Sequence, residues 1–340
     1  MRSSTSDSKL TRGTYLLAFG CLAIALSVEI VTRIGFDRVS KIQRRIANEY
    51  RLATMIGADG HARKHVLVIG NSLLAEDVQF DRVREALGPG CDTRRLVIEQ
   101  TGYLDWYYGL RRLFRDGARP DVVVLMLTAR QSVATSIRGD FSAQYLIDRT
   151  DLPAATRELS LNPTATTNLL FSSVSKFWAT RAEIRNYVLG RIVPDLGDLM
   201  HFSSEVDPRQ LVDDDVAEIM RVRLMRLRAI TDSYGARLVV VLPPISNVRD
   251  GSSGFLRAGS AVGVATLRPV ASGTMPPRLY QGDGFHLNPT GAVEFTSRLI
   301  PALREELSRP DAPRAAVPAL SAEQHGPVLP VGATVQARRN

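Results

Sequence analysis

VLVIGNSLL, Val66–Leu74, is a strand that stops on a small residue, an amide and a hydroxyl before a helix-like stretch begins. Its apolar residues do not alternate with polar ones, as expected of a strand buried on both faces of a parallel sheet. PDVVVLMLT (Pro120–Thr128) and RLVVVLPP (Arg237–Pro244) are runs of the same kind, and TRRLVIEQ (Thr93–Gln100) reads as a further strand. Between them lie stretches with helical spacing. These are VQFDRVREAL (Val78–Leu87), YLDWYYGLRRLFRDG (Tyr103–Gly117) and VDDDVAEIMRVRLMRLRAITDSYG (Val212–Gly235), with NPTGAVEFTSRLIPALREEL (Asn288–Leu307) as the closing helix. Strand and helix alternate, which predicts an α/β fold with a parallel sheet between helix layers. In such a fold, sites form beyond the carboxyl ends of the strands. Ser72, Thr128–Gln131 and Pro243–Asn247 all stand at such ends.

The 340 residues suffice for one large domain or two ordinary ones. An apolar fraction of 44% and a charged fraction of 23% are ordinary for a globular chain. The formal charge is +8, and Lys9, Lys41, Lys64 and Lys176 are the only lysines, so the positive charge is mostly arginine. No basic segment is interleaved with aromatics, which argues against nucleic acid as a partner. Cys21 and Cys91 form no disulfide framework, and no Cys/His spacing suits a metal. Neither a metal nor a cofactor is expected.

TYLLAFGCLAIALSVEIV (Thr14–Val31) is apolar until Glu29 and close to the length of a membrane span. No small-x-small cleavage site follows it, so an uncleaved signal anchor over 14–33 is expected, after a short cytoplasmic segment 1–13. Arg33, Arg38, Lys41, Arg44 and Arg45 would hold the following side in the cytoplasm by charge counting. FDRVSKIQRRIANEYRLATMI (Phe36–Ile56) has the spacing of an amphipathic helix, and residues 34–63 are expected to be a juxtamembrane helix and linker with a basic face toward lipid. Residues 64–308 form the expected α/β domain, interrupted by an insertion over 132–210. That insertion carries Phe141, Tyr145, Phe171, Phe177, Trp178 and Tyr187 but no sharp motif. Residues 309–340, rich in proline and alanine, are expected to be a disordered tail.

A serine hydroxyl needs a base to become a nucleophile. Of the five histidines, His61 and His65 stand at the wrong end of the first strand, His325 is in the tail, and His201 lacks an obvious orienting partner. His286 lies in GDGFHLNPTGA (Gly282–Ala292), three residues after Asp283 and just before a helix start at Asn288 or Pro289. A bent Asp-x-x-His loop can put the carboxylate on one imidazole nitrogen and leave the other for a serine. Ser72, His286 and Asp283 are therefore the candidate nucleophile, base and orienter of an acyl-transfer site.

IGNSLL (Ile69–Leu74) and DGFHLNPTGA (Asp283–Ala292) resemble the first and last blocks of the SGNH/GDSL hydrolase superfamily, with Asn71 where an aspartate is usual. EQTGYLDWYYGLRRLF (Glu99–Phe114) fits the second block, with Gly102 in the place of the oxyanion-hole glycine. The resemblance covers about residues 64–130 and 210–308. It implies a flavodoxin-like three-layer α/β/α sandwich with the anchor as one preceding transmembrane helix. It also implies an oxyanion hole made by the backbone amides of Ser72 and Gly102. The third block departs: where the family carries Gly-x-Asn-Asp, this chain reads LMLTARQS (Leu125–Ser132), with Arg130 or Gln131 near the donor position. Arg130 stands there as a replacement donor or an anion-binding group.

An anchor, such a domain and a degenerate third block together resemble the membrane-linked accessory proteins of cell-surface polysaccharide O-acetylation. That resemblance implies an acylated carbohydrate or acyl donor as substrate, a membrane-bound O-acyltransferase as partner, and a single-pass inner-membrane protein with an extracytoplasmic domain. Three readings follow: an O-acyltransferase or esterase on envelope polysaccharide, a stand-alone lipase or esterase, and a non-catalytic scaffold or glycan-binding component.

Overall fold

The structure, a computed structural model, describes residues 6–36, 38, 40–58, 60, 63–192, 211–246 and 250–309. The tail beyond 309, and His61, His201 and His325, lie outside the described residues.

Five parallel strands form one sheet: β1 (Lys64–Gly70), β2 (Cys91–Val97), β3 (Val122–Met126), β4 (Arg237–Val241) and β5 (Ala265–Leu267). Their order is β2-β1-β3-β4-β5. The chain leaves β1 for β2 on one side and then crosses to β3 on the other, so the topological switch point opens at the carboxyl ends of β1 and β3.

The continuous apolar runs serve both faces. Leu67, Ile69, Val123, Leu125, Leu238 and Val240 pack on one side against α5 (Tyr103–Arg115), α11 (Asp213–Ser233) and α12 (Ser252–Val262). Val66, Val68, Val124, Met126, Val239 and Val241 pack on the other against α3 (Ser72–Glu76), α4 (Phe80–Leu87) and α13 (Pro289–Ser308). This is the expected three-layer α/β/α sandwich. The fifth strand and α12 are additions to the sequence reading. β5 has only three residues, all half-buried, too short for a periodicity to register.

Helix α1 (Ser6–Val31) contains the apolar run, and Gly13–Phe36 is long and apolar enough to cross a membrane. Helix α2 (Lys41–Thr54) is amphipathic, as its spacing implies, but its apolar face does not belong to a linker. Ile46, Ala53 and Ile56 are fully buried in the sheet–helix core. The Glu49 carboxylate accepts from the Arg95 guanidinium at 2.9 Å and from the Val97 amide of β2 at 2.8 Å, on the strand at the sheet edge. Segment 41–56 is therefore part of the α/β domain: its apolar stripe is buried there, and Glu49 satisfies a backbone donor on the edge strand.

After β3 come α6 (Ala129–Val133), α7 (Asp140–Tyr145), α8 (Leu152–Glu158), α9 (Pro163–Val174) and α10 (Lys176–Ile192). The first part of this insertion is welded to the domain. Phe141, Leu146, Leu152 and Ala155 join the core. Glu158 on α8 accepts from Tyr108 on α5 at 2.8 Å and pairs with Arg226 on α11 at 2.5 Å.

Candidate active site

Asn71 follows β1 in extended conformation and caps α3, its Oδ1 accepting the Leu73 amide at 3.1 Å. Ser72 is thus the first helical residue, and its own N–H has no intrahelical acceptor. The Asn71 side chain is fully buried, and its Nδ2 donates to the Thr101 carbonyl at 2.9 Å. An aspartate has no such donor when ionised. The asparagine therefore ties the serine turn to the loop that carries Gly102.

His286 and Asp283 sit on a loop closed by the bridge between Tyr280 and Leu287 and by the Gln281 amide donating to the His286 carbonyl at 2.7 Å. Gly284, at a φ of 65°, makes the bend that a side chain would strain. Its carbonyl accepts from Ser246 Oγ at 2.6 Å, which fixes the loop to the segment that follows β4. Asn288 caps α13 by accepting from the Thr290 and Gly291 amides at 3.1 and 3.0 Å, and Pro289 begins the helix.

The structure brings the three candidates into one chain of hydrogen bonds. Asp283 Oδ2 lies 2.6 Å from His286 Nδ1, and His286 Nε2 lies 2.9 Å from Ser72 Oγ. Asp283 Oδ1 accepts from the Phe285 and His286 amides at 2.9 and 3.0 Å, so the carboxylate cannot swing away from the ring. Partial burial pushes the Asp283 carboxyl up. The hydrogen bonds from the His286 ring and the two amides outweigh it and hold Asp283 below the usual carboxylate range. With Nδ1–H donated to this carboxylate, Nε2 is the acceptor that faces the serine hydroxyl.

Asp77 completes the support and is a residue that sequence reading missed. It is fully buried, and its Oδ1 accepts the Leu287 amide at 2.8 Å, next to the histidine, while Oδ2 has no hydrogen-bond partner among the described residues. Burial, with the charges of Glu76 and Asp283 added, pushes its carboxyl well up against the opposing Leu287 bond. No spacing rule marks it, since its partner lies 210 residues away.

The second block differs from what the resemblance implies. The Gly102 amide, expected to point at an oxyanion, donates to Asp105 Oδ2 at 2.8 Å. Asp105 is fully buried, also accepts from the Arg138 amide at 3.0 Å and from Ser142 Oγ, and is pushed up by burial despite those bonds. One buried carboxylate thus joins the glycine to the insertion. Asp105, in the first turn of α5, reaches back to the N-cap amide as the acidic half of a capping box does, and glycine supplies no side chain for the other half. Gly102 itself is required by close approach, since a Cβ there would lie 2.9 Å from the Gln131 carbonyl.

The third block departs for a similar reason. Thr128 and Gln131 form a reciprocal cap on α6, with Thr128 Oγ1 accepting the Gln131 amide at 3.2 Å and Gln131 Oε1 accepting the Thr128 amide at 3.0 Å. Arg130 is half-buried on the first turn of this short helix. The described residues bring together no group of three or more metal-ligating side chains.

No family model and no curated protein matches the sequence. Solved structures with a similar layout include an acetylxylan esterase from Geobacillus stearothermophilus (11% identity, 70% of this chain and 93% of that one, TM-score 0.36). A lipase/acylhydrolase from Enterococcus faecalis (13%, 73% and 100%, 0.36) and a GDSL-like lipase from Bacteroides thetaiotaomicron (10%, 77% and 99%, 0.37) are others. These neighbours are esterases and lipases, and likenesses this slight do not bear on the reaction of this chain.

Proposed function

We propose that this protein is a serine-dependent acyl-transfer enzyme in which Ser72 is the nucleophile, His286 the proton carrier and Asp283 the group that orients it. The observation that carries this is the unbroken chain from Ser72 Oγ through the imidazole to Asp283, at 2.9 and 2.6 Å. Ser72 Oγ attacks the carbonyl carbon of an acyl ester while its proton passes to His286 Nε2. The tetrahedral adduct collapses, the ester C–O bond breaks, and the imidazolium returns the proton to the departing alkoxide. The acyl-serine is then transferred to water or to a sugar hydroxyl by the reverse proton path. The Ser72 amide is the donor left for the oxyanion, because the Gly102 amide is held by Asp105. Gly102 serves the hole only if substrate draws its amide from that carboxylate.

The substrate we propose is a carbohydrate of the cell envelope, either an O-acylated sugar that gives up its acyl group or a sugar hydroxyl that receives one, with transfer favoured over hydrolysis. The apolar N-terminal helix, the insertion against the site and the departed third block support this. In this reading the helix anchors the domain on the outer face of the inner membrane, and a membrane-bound O-acyltransferase supplies the acyl group. The occupied Gly102 amide favours a second reading, a scaffold or glycan-binding component without turnover.

One experiment separates the two. The full chain in detergent, beside its Ser72→Ala form, is exposed to a fluorophosphonate probe and to p-nitrophenyl acetate. The labelled residue is then found by mass spectrometry. Labelling confined to Ser72, with acetate release lost in the variant, is the expected result. Absence of labelling with equal release from both forms overturns the catalytic reading in favour of the scaffold.

A further inference from the structure

The corner between α9 and α10 meets the end of the apolar helix α1. Glu29, the first acidic residue after the apolar run, turns its carboxylate onto that corner. It accepts from Ser175 Oγ at 2.7 Å and from the Lys176 and Phe177 amides at 2.8 and 3.1 Å, and so caps α10 from a different element. Arg33 pairs with Glu29 at 2.6 Å and donates to the Val174 carbonyl at 2.8 Å. Residues 174–177 are thereby pinned at the depth where α1 changes from apolar to charged.

Beside this pin lie large apolar side chains turned outward. Leu170, Phe171 and Val174 on the last turns of α9 are 48%, 53% and 48% exposed, and Trp178 on the first turn of α10 is 38% exposed. They form one patch, with the Phe171 and Trp178 rings 5.7 Å apart. Trp178 keeps a polar edge: its Nε1–H donates to Asn168 Oδ1 at 2.6 Å, and the Arg181 guanidinium lies 4.7 Å over its ring. An apolar body with a satisfied polar tip and a cation beside it is the composition of side chains that settle at the lipid headgroup boundary.

We infer that the α9–α10 corner is a second membrane contact, a foot whose Leu170, Phe171, Val174 and Trp178 enter the interfacial layer of the bilayer crossed by α1. The occupant is lipid because the patch is continuous with the exit end of a helix whose most apolar window is wholly unburied, and because Glu29 and Arg33 set both at one depth. Two attachments in place of one fix the tilt of the domain on the membrane, and with it the direction in which the site faces. The inference rests on α1 spanning the membrane, and the test keeps the two apart.

The full chain is reconstituted in phosphatidylcholine vesicles whose acyl chains carry bromine near the headgroup or near the bilayer centre. The other tryptophan, Trp106, is fully buried in the core, so the Trp178→Phe form supplies its emission as background. Leu22→Trp in that background reports on the span. The expected result is loss of most Trp178 emission to shallow bromine in the parent chain, and loss of the added tryptophan's emission to deep bromine in the span reporter. Quenching of the span reporter with Trp178 unquenched overturns the foot and leaves the span standing. The same holds if Trp178 emission is shifted to the blue but unquenched, since a second copy of the chain then covers the patch. No quenching of either overturns both. Glu29→Ala is expected to abolish the quenching of Trp178 and spare that of the span reporter, and unchanged Trp178 quenching in this variant overturns the pin.

Discussion

Replacing Asn71 by aspartate introduces the residue usual in the first block of the hydrolases that its motifs resemble, and is expected to damage this protein. The side chain is fully buried, with Oδ1 on the Leu73 amide and Nδ2 on the Thr101 carbonyl at 2.9 Å. Aspartate keeps the cap and loses the donor. A carboxylate oxygen then faces the Thr101 carbonyl oxygen without water. Leaving a buried polar group unsatisfied costs about 1–3 kcal/mol, and the desolvated charge adds to it, so the loss is about 2–4 kcal/mol in neutral or alkaline solution. Protonation of the new carboxyl rebuilds an O–H donor, so its value in the folded state rises above the unfolded value of about 3.9. The folded state then binds the extra proton. The penalty is absent below the unfolded value and grows as pH rises through the folded one. Thermal unfolding of the full chain in detergent, variant against parent, is expected to show a drop of about 5–10 °C at about pH 8 and a smaller one at about pH 5. Equal melting temperatures at the higher pH, or a larger drop at the lower pH, refutes the reasoning. Labelling of Ser72 by the fluorophosphonate probe is expected to fall with stability, since the same amide holds the serine turn to the Gly102 loop.

Asp283→Asn is expected to keep the loop and lose turnover by about 10³–10⁴, because the amide favours the wrong imidazole tautomer; a loss under tenfold in acetate release contradicts the assignment. The folded Asp283 carboxyl lies below its ordinary value, so its contribution to stability is present above that ordinary value and is lost as pH falls through the folded one. The stability gap between parent and Asp283→Asn should therefore close in acid, as read by denaturant titration at a series of pH values. Asp77 carries the opposite sign: burial raises it, so the parent loses stability as pH rises above the usual carboxylate range, and Asp77→Asn should flatten that slope. Asp77→Ala removes the acceptor for Leu287, and should lower kcat more than it raises KM if the bond positions His286. Asn288→Ala removes a cap with two amide bonds and should cost about 1 kcal/mol, visible in thermal unfolding.

The alternation of unbroken apolar runs with helical spacing was enough for the fold class, since burial on both faces of a parallel sheet leaves that pattern along the chain. The pairing of Asp283 with His286 was legible too, because both sit on one short loop before a capped helix. The N-terminal apolar helix could be read from composition alone. Tertiary structure decided what depends on partners far away in sequence. It brought Ser72 to His286 across 214 positions, seated Asp77 under the histidine loop, and committed the Gly102 amide to Asp105. It also turned the apolar stripe of α2 onto the edge of the sheet, while leaving the apolar corner at Phe171 and Trp178 exposed beside Glu29. Periodicity tells a residue that it has an apolar face; only the packed chain determines what that face, or a buried carboxylate, will meet.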